Sequence, residues 1–135
     1  MLVVEDEDAV RTLAVPVLER RGYHVLAACD GQHALSVVER NRGAIDLVLS
    51  DVVMPRMGGH ELAAALAVTL PHVPVLLMSG YDEDQVTDGA DLPTTAFLSK
   101  PFTPAALAAR VAGAIGRGRN RGAGQRPVGP LRPGD

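Results

Sequence analysis

Tryptophan is absent, aromatic residues make up 3% of the chain, and there is one cysteine, Cys29. A lone cysteine excludes an internal disulfide, so no covalent staple can hold the fold. With two Phe and two Tyr, the core has to be built from Val, Leu, Ala and Ile, and 47% of the 135 residues are hydrophobic, which is enough for one compact domain. No apolar run approaches the roughly 20 residues that span a bilayer. The start, Met1-Leu2-Val3-Val4-Glu5-Asp6, has neither the basic region nor the apolar stretch of a secretory signal. A cytoplasmic protein without direct membrane contact is expected.

Basic charge is also scarce over most of the chain. Residues 1–116 hold 8 Lys/Arg against 15 Asp/Glu, whereas residues 117–135 hold 5 Arg and a single acid, Asp135. An acidic body does not suit phosphate-backbone binding, and no helix-turn-helix or basic recognition helix follows Ile115. Nucleic acid is therefore not an expected partner. The Gly/Arg/Pro-rich residues 117–135 have too little to bury and are expected to form a disordered tail on a domain of residues 1–116.

What is present is an alternation. Short apolar runs at residues 1–4, 24–28, 45–50, 75–78 and 96–99 predict strands. Amphipathic stretches at 9–21, 32–40, 60–69 and 104–115, and a weakly periodic acidic one at 81–91, predict helices. Asp8 is placed to cap the first helix, Gly22 to stop it, and Pro104 to open the last. Pro16 stands in the middle of the first helix, where its missing N–H should cost roughly 3 kcal/mol unless the helix kinks. Five such units predict an α/β protein with a doubly wound, five-stranded parallel sheet of order 2-1-3-4-5. Its functional site should lie past the carboxyl ends of the strands, at the switch point between strands one and three.

Polar residues stand at those ends: Glu5 and Asp6 after strand one, Asp51 after strand three, Ser79 after strand four and Lys100 after strand five. The sheet order would gather them on one edge. Three carboxylates in one pocket repel by several kcal/mol at an effective dielectric of about 20, so positive charge must accompany them. Lys100 supplies part of it, and a divalent cation with a taste for oxygen ligands, Mg²⁺, suits the rest. A carboxylate can attack phosphorus to form an acyl phosphate, and it needs no general base, because an ordinary aspartate is ionised at neutral pH. Phosphoryl transfer then requires mainly positioning and charge stabilisation.

The segments Leu2-Val3-Val4-Glu5-Asp6-Glu7, Asp51-Val52-Val53-Met54-Pro55, Met78-Ser79-Gly80 and Ser99-Lys100-Pro101-Phe102 resemble those of the response-regulator receiver family, in order and spacing, over residues 1–116. The resemblance implies a flavodoxin-like receiver fold and a phospho-acceptor role in two-component signalling rather than an enzyme in its own right. It implies that Asp51 takes a phosphoryl group from a histidine kinase or phosphotransfer domain. Asp6, Asp51 and the Val53 carbonyl would ligate Mg²⁺, with Glu5 acting through metal-bound water. Lys100 and Ser79 would contact the phosphoryl group, and Phe97 would be the aromatic that moves with Ser79. The signal would leave through a protein partner, on the face of the fourth helix, fifth strand and fifth helix. Ser79-Gly80-Tyr81 and Asp51-Val52-Val53 are similar to receivers attached to hybrid sensor kinases, so the chain is expected to be either a piece of such a protein or a free-standing regulator. Bulk at Val53 and Tyr81, at positions that influence hydrolysis in the family, implies slow loss of phosphate.

Other readings weigh less. A flavin or nucleotide site would meet repulsion from Glu5-Asp6-Glu7-Asp8. A haloacid-dehalogenase-like phosphatase would need an acid where Val53 stands. A pseudo-receiver, an interaction module without the chemistry, sits poorly with the full set of Asp6, Asp51, Ser79 and Lys100. His24, His33, His60 and His72 show no metal-ligand spacing and are expected at the surface, and Cys29 is expected to be partly buried.

Overall fold

The computed structural model describes residues 1–79 and 95–124. Five parallel strands, β1 (Leu2–Val4), β2 (Leu26–Ala28), β3 (Val48–Asp51), β4 (Val75–Ser79) and β5 (Thr95–Ser99), lie in the order β2-β1-β3-β4-β5. Four helices accompany them among the described residues: α1 (Asp8–Arg20), α2 (Gly31–Arg40), α3 (Gly59–Thr69) and α4 (Pro104–Gly124). The doubly wound parallel sheet expected from the sequence is present. The stretch 81–91, expected as a helix, lies outside the described residues, as do Gly80 and Tyr81.

Alternation along each strand divides the core. Val3, Leu49, Leu76, Met78 and Leu98 face one side, where Ala14, Val17 and Leu18 of α1 and Leu107, Val111, Ala114 and Ile115 of α4 cover them. Leu2, Val4, Val48, Val75 and Leu77 face the other, under Ala34, Val37 and Val38 of α2 and Leu62, Ala63 and Leu66 of α3. A sheet buried on both faces reads as continuous apolar runs, which is why the strands were legible. Each fully buried Leu or Val contributes about 1.5–3 kcal/mol.

Several boundaries differ from expectation for local reasons. β2 is only three residues long because β1, its partner, is three: Leu2 pairs with Leu26, Val3 with Ala27 and Val4 with Ala28. β3 starts at Val48 rather than at residue 45, after a 3₁₀ turn at Arg42–Ala44. Asp8 does not cap α1. Glu7 holds that position, its own N–H taken by Glu5 Oε2 at 3.0 Å, while Asp8 is already helical and its carboxylate pairs with Arg11. α4 continues to Gly124 instead of ending at Ile115, so residues 117–124 are helical, not disordered as expected; residues 125–135 lie outside the described residues. Arg is a good helix former, and no proline stands in the way before Pro127. The start of α4 is as expected, with Thr103 Oγ1 accepting the Ala106 N–H at 3.0 Å just before Pro104.

Pro16 lies inside an uninterrupted α1, where Thr12 loses its i+4 donor. Replacing it by Ala restores that bond. Pro16→Ala is expected to raise stability by about 1–2 kcal/mol, read as a higher denaturant midpoint with an unchanged m-value.

Candidate functional site

The sheet register sets the site. Val4 pairs with Ser50, Asp51 with Met78 and Ser79 with Ser99, so the strand ends carrying Glu5, Asp51, Ser79 and Lys100 come level at one edge. Ligand oxygens of Glu5, Asp6 and Asp51 all lie within 4.8 Å of one another. Glu5 (0% exposed) and Asp51 (4%) are buried while Asp6 is exposed, so the trio has a closed floor and an open side. Lys100 reaches across from the end of β5, with Nζ 3.2 Å from Glu5 Oε1 and 3.0 Å from Asp51 Oδ1. Ser79 is fully buried at the end of β4, and its carbonyl accepts the Lys100 N–H at 2.8 Å. The structure thus brings Glu5, Asp6, Asp51, Lys100 and Ser79 to one edge. Val53 is 58% exposed two residues past Asp51, and Phe97 is half-buried on β5.

Backbone bonds fix the loops that carry these groups. Glu5 N–H is held by the Ala28 carbonyl at 3.0 Å, and the Glu5 carbonyl receives Arg11 Nη1 at 2.5 Å. Val52 N–H donates to Asp51 Oδ1 at 2.9 Å and to the Met78 carbonyl at 3.0 Å. Gly59, the first residue of α3, packs directly beneath Asp51: a Cβ there would stand 2.3 Å from the Asp51 carbonyl oxygen and 3.0 Å from Val52 Cα. That close approach, together with the Arg11 contact, was not anticipated from the sequence; the adjacent pair Gly58-Gly59 was the available signal.

Two histidine and cysteine expectations are corrected. His24, His33 and His72 are exposed, but His60 is half-buried against Phe97, ring centroids 6.2 Å apart, because it sits in the first turn of α3 facing β5. Its Nε2 is buried and has no hydrogen-bond partner. Cys29 is exposed, not partly buried, since it stands just past the end of the edge strand β2.

The charges perturb one another. Burial, with a contribution from the Asp51 carboxylate, pushes Glu5 up to about 7, against the Glu7 N–H and Lys100. Burial works against a charged Lys100, but the Asp51 and Glu5 carboxylates outweigh it and hold its pKa above the ordinary value. A carboxyl raised in the folded state favours folding while protonated, and that advantage is lost as pH rises from about 4.5 through about 7. Metal-free protein should therefore melt lower at about pH 8 than at about pH 5 through this group, Glu5→Gln should flatten that slope, and Mg²⁺ affinity should rise with pH through about 7. Thermal melts and calorimetric titration at both pH values read the effect.

An all-oxygen set of three clustered carboxylates, one side open, fits a hard cation that keeps several waters, which is the behaviour of Mg²⁺. Glu5, Asp6 and Asp51 could hold it. No described helix is long and apolar enough to cross a membrane.

Comparison with known proteins identifies the family. The family model for the response regulator receiver domain matches residues 1–112. The sensor kinase CckA of Brucella abortus is 45% identical over 114 residues, covering 82% of this chain and 12% of that protein. The alkaline phosphatase synthesis regulator PhoP of Bacillus subtilis is 37% identical over 113 residues, covering 82% of this chain and 46% of its own length. The chain thus spans less than half of each of these two relatives. Among solved structures, the receiver domain of the hybrid histidine kinase CckA superposes with a TM-score of 0.70 at 39% identity, covering 84% of this chain and 96% of that one. A receiver domain protein from Clostridium thermocellum gives 0.81 at 26% identity, with 89% and 96% covered. This chain belongs to the response regulator receiver domain family of two-component signalling.

Proposed function

We propose that the domain is a phosphorylation switch in which Asp51 accepts a phosphoryl group from a phosphohistidine on a kinase or phosphotransfer domain. The observation that carries this reading is the single cage at the strand ends: three carboxylates whose ligand atoms lie within 4.8 Å of one another, with an ammonium 3.0 Å from Asp51. An Asp51 oxygen attacks phosphorus. The O–P bond forms, the P–N bond to the imidazole breaks, and the departing nitrogen takes its proton from solvent. Mg²⁺, held by Asp6, Asp51 and the Val53 carbonyl with Glu5 acting through metal-bound water, would supply the charge that makes three carboxylates and a phosphoryl group tolerable together. Lys100 faces the same carboxylates and would stabilise the equatorial oxygens. Ser79, at the end of β4, is the hydroxyl that would turn toward the phosphate, and Phe97 on β5 the aromatic that follows it inward. The chemistry amounts to self-phosphorylation and slow hydrolysis. The signal passes to a protein partner. A receiver body of residues 1–116 from which α4 runs on to Gly124, a cytoplasmic setting and a place at the end of a hybrid kinase or in a free-standing regulator complete the proposal; the likeness to CckA supports the hybrid arrangement.

Incubation with acetyl phosphate and Mg²⁺, followed by intact mass, tests it. One added phosphoryl group is expected on the wild type, and none after chelation of the metal or in Asp51→Asn. No gain in the wild type would point to a module that works without phosphorylation. Exposed Val53 offers no acid or amide to orient water, so the phosphorylated form should outlast several minutes, and Val53→Asn should shorten its life about threefold or more. Decay within seconds that Val53→Asn leaves unchanged would count against this role.

A further inference from the structure

The segment leaving Asp51 is tied down at a point away from the carboxylates. Arg56 has φ 68°, a left-handed backbone conformation that side-chain-bearing residues adopt only when something holds them there. Its Nε and Nη2 both donate to Asp30 Oδ2, at 3.0 and 2.5 Å. The Asp30 side chain is 3% exposed although that of Arg56 is 63% exposed. Asp30 Oδ1 meanwhile caps α2 by accepting the His33 N–H at 2.8 Å. The His33 N–H and the Arg56 guanidinium hold the Asp30 carboxyl below its usual range. The next residue of the loop, Met57, accepts the Gly31 N–H at 3.2 Å, and its side chain fills the space a Cβ on Gly31 would need. The apex of the loop and the start of α2 are therefore one joint. The loop's ends are joined to the site, through Val52 N–H on Asp51 Oδ1 and Gly59 N–H on the Val52 carbonyl at 2.8 Å.

We propose that the Asp30–Arg56 pair is a positioning clamp that keeps the segment carrying Val53 in register with Asp51, and so sets both the affinity of the site for a divalent cation and the rate at which Asp51 is phosphorylated. Neither residue touches the reacting atoms. Without the pair, Arg56 is free to leave the left-handed region, and the peptide planes on either side of it reorient, Val53 among their near neighbours. The second effect rests on the phospho-acceptor reading; the first does not.

Arg56→Gln, Asp30→Asn and the double variant test the clamp. Asn keeps an acceptor for the His33 N–H, so α2 retains its cap. Three quantities are read: amide hydrogen exchange of residues 52–59 in the metal-free protein, Mg²⁺ affinity by calorimetry, and the rate of phosphorylation by acetyl phosphate. Each single variant is expected to speed exchange in the loop and to weaken Mg²⁺ binding and slow phosphorylation about threefold to tenfold, with the double variant no worse than either single. Arg56→Lys should recover part of the loss. Effects within twofold, or singles whose effects multiply in the double, overturn the clamp. If Asp30→Asn does not fold, Arg56→Gln, whose side chain is exposed, still decides the matter. Faster exchange and weaker Mg²⁺ binding alongside a wild type that takes no phosphate would uphold the clamp and sink the phospho-acceptor reading.

Discussion

Lys100→Met is expected to slow the proposed phosphorylation of Asp51 by about a hundredfold and to leave the protein folded in the presence of Mg²⁺. The size follows from the geometry. Lys100 Nζ is 3.2 Å from Glu5 and 3.0 Å from Asp51, it is only 20% exposed, and it is the one cationic side chain within ion-pair distance of these carboxylates among the described residues. Removing one preorganised charge that faces a developing phosphoryl group costs about 10²–10³ in rate. Metal-free Lys100→Met should also lose about 2–3 kcal/mol of stability, because Glu5 and Asp51 remain buried without their counter-charge. A bound divalent cation supplies that charge instead, so Mg²⁺ should recover much of the loss. Single-turnover phosphorylation with acetyl phosphate and denaturant melts with and without Mg²⁺ read the two effects separately. A Lys100→Met protein that phosphorylates at the wild-type rate would show that the ammonium serves only to hold the acids together.

Gly59→Ala carries the second large effect. A Cβ built on Gly59 lies 2.3 Å from the carbonyl oxygen of Asp51, 3.0 Å from Val52 Cα and 3.0 Å from Leu77 Cδ2, and two of those three neighbours are backbone. Backbone cannot rotate aside, so α3 or the end of β3 must move. Overpacking of this kind costs about 2–3 kcal/mol, and the part that gives way is the part that carries Asp51. Gly59→Ala should therefore lose both stability and phosphorylation rate, the latter even well below its melting temperature. Gly116 is the control. Nothing lies within 4 Å of a Cβ there and the residue is helical, so Gly116→Ala should be stabilising by about 0.5–1 kcal/mol, without effect on phosphorylation.

The sheet was legible in the sequence because its strands are buried on both faces and read as uninterrupted runs such as Val75–Ser79. The site was legible for a related reason. In a parallel sheet the residues just past strand ends share an edge, so Asp51 and Lys100 could be placed together although 49 positions separate them. What escaped was tertiary. A Cβ on Gly59 would meet the Asp51 carbonyl, whereas one on Gly43 would have nothing within 4 Å, a contrast set by what packs against each. The Asp30–Arg56 pair joins residues 26 apart and depends on a left-handed backbone at Arg56 that an arginine does not advertise. Asp8 looked like a cap because an acid before a helix usually is one, but Glu7 took the place once Glu5 Oε2 had captured its N–H. The end of α4 was misjudged because glycine-rich composition was weighed above arginine's propensity and the absence of proline before residue 127.

The most direct measurement is the chemical identity of the modified residue. After brief exposure to acetyl phosphate and Mg²⁺, borohydride reduces an aspartyl phosphate to homoserine, and peptide sequencing by mass spectrometry finds it. Homoserine is expected at position 51 and nowhere else. Homoserine at Asp6 or any other aspartate, or an intact Asp51 in protein that has gained a full phosphoryl group, contradicts it.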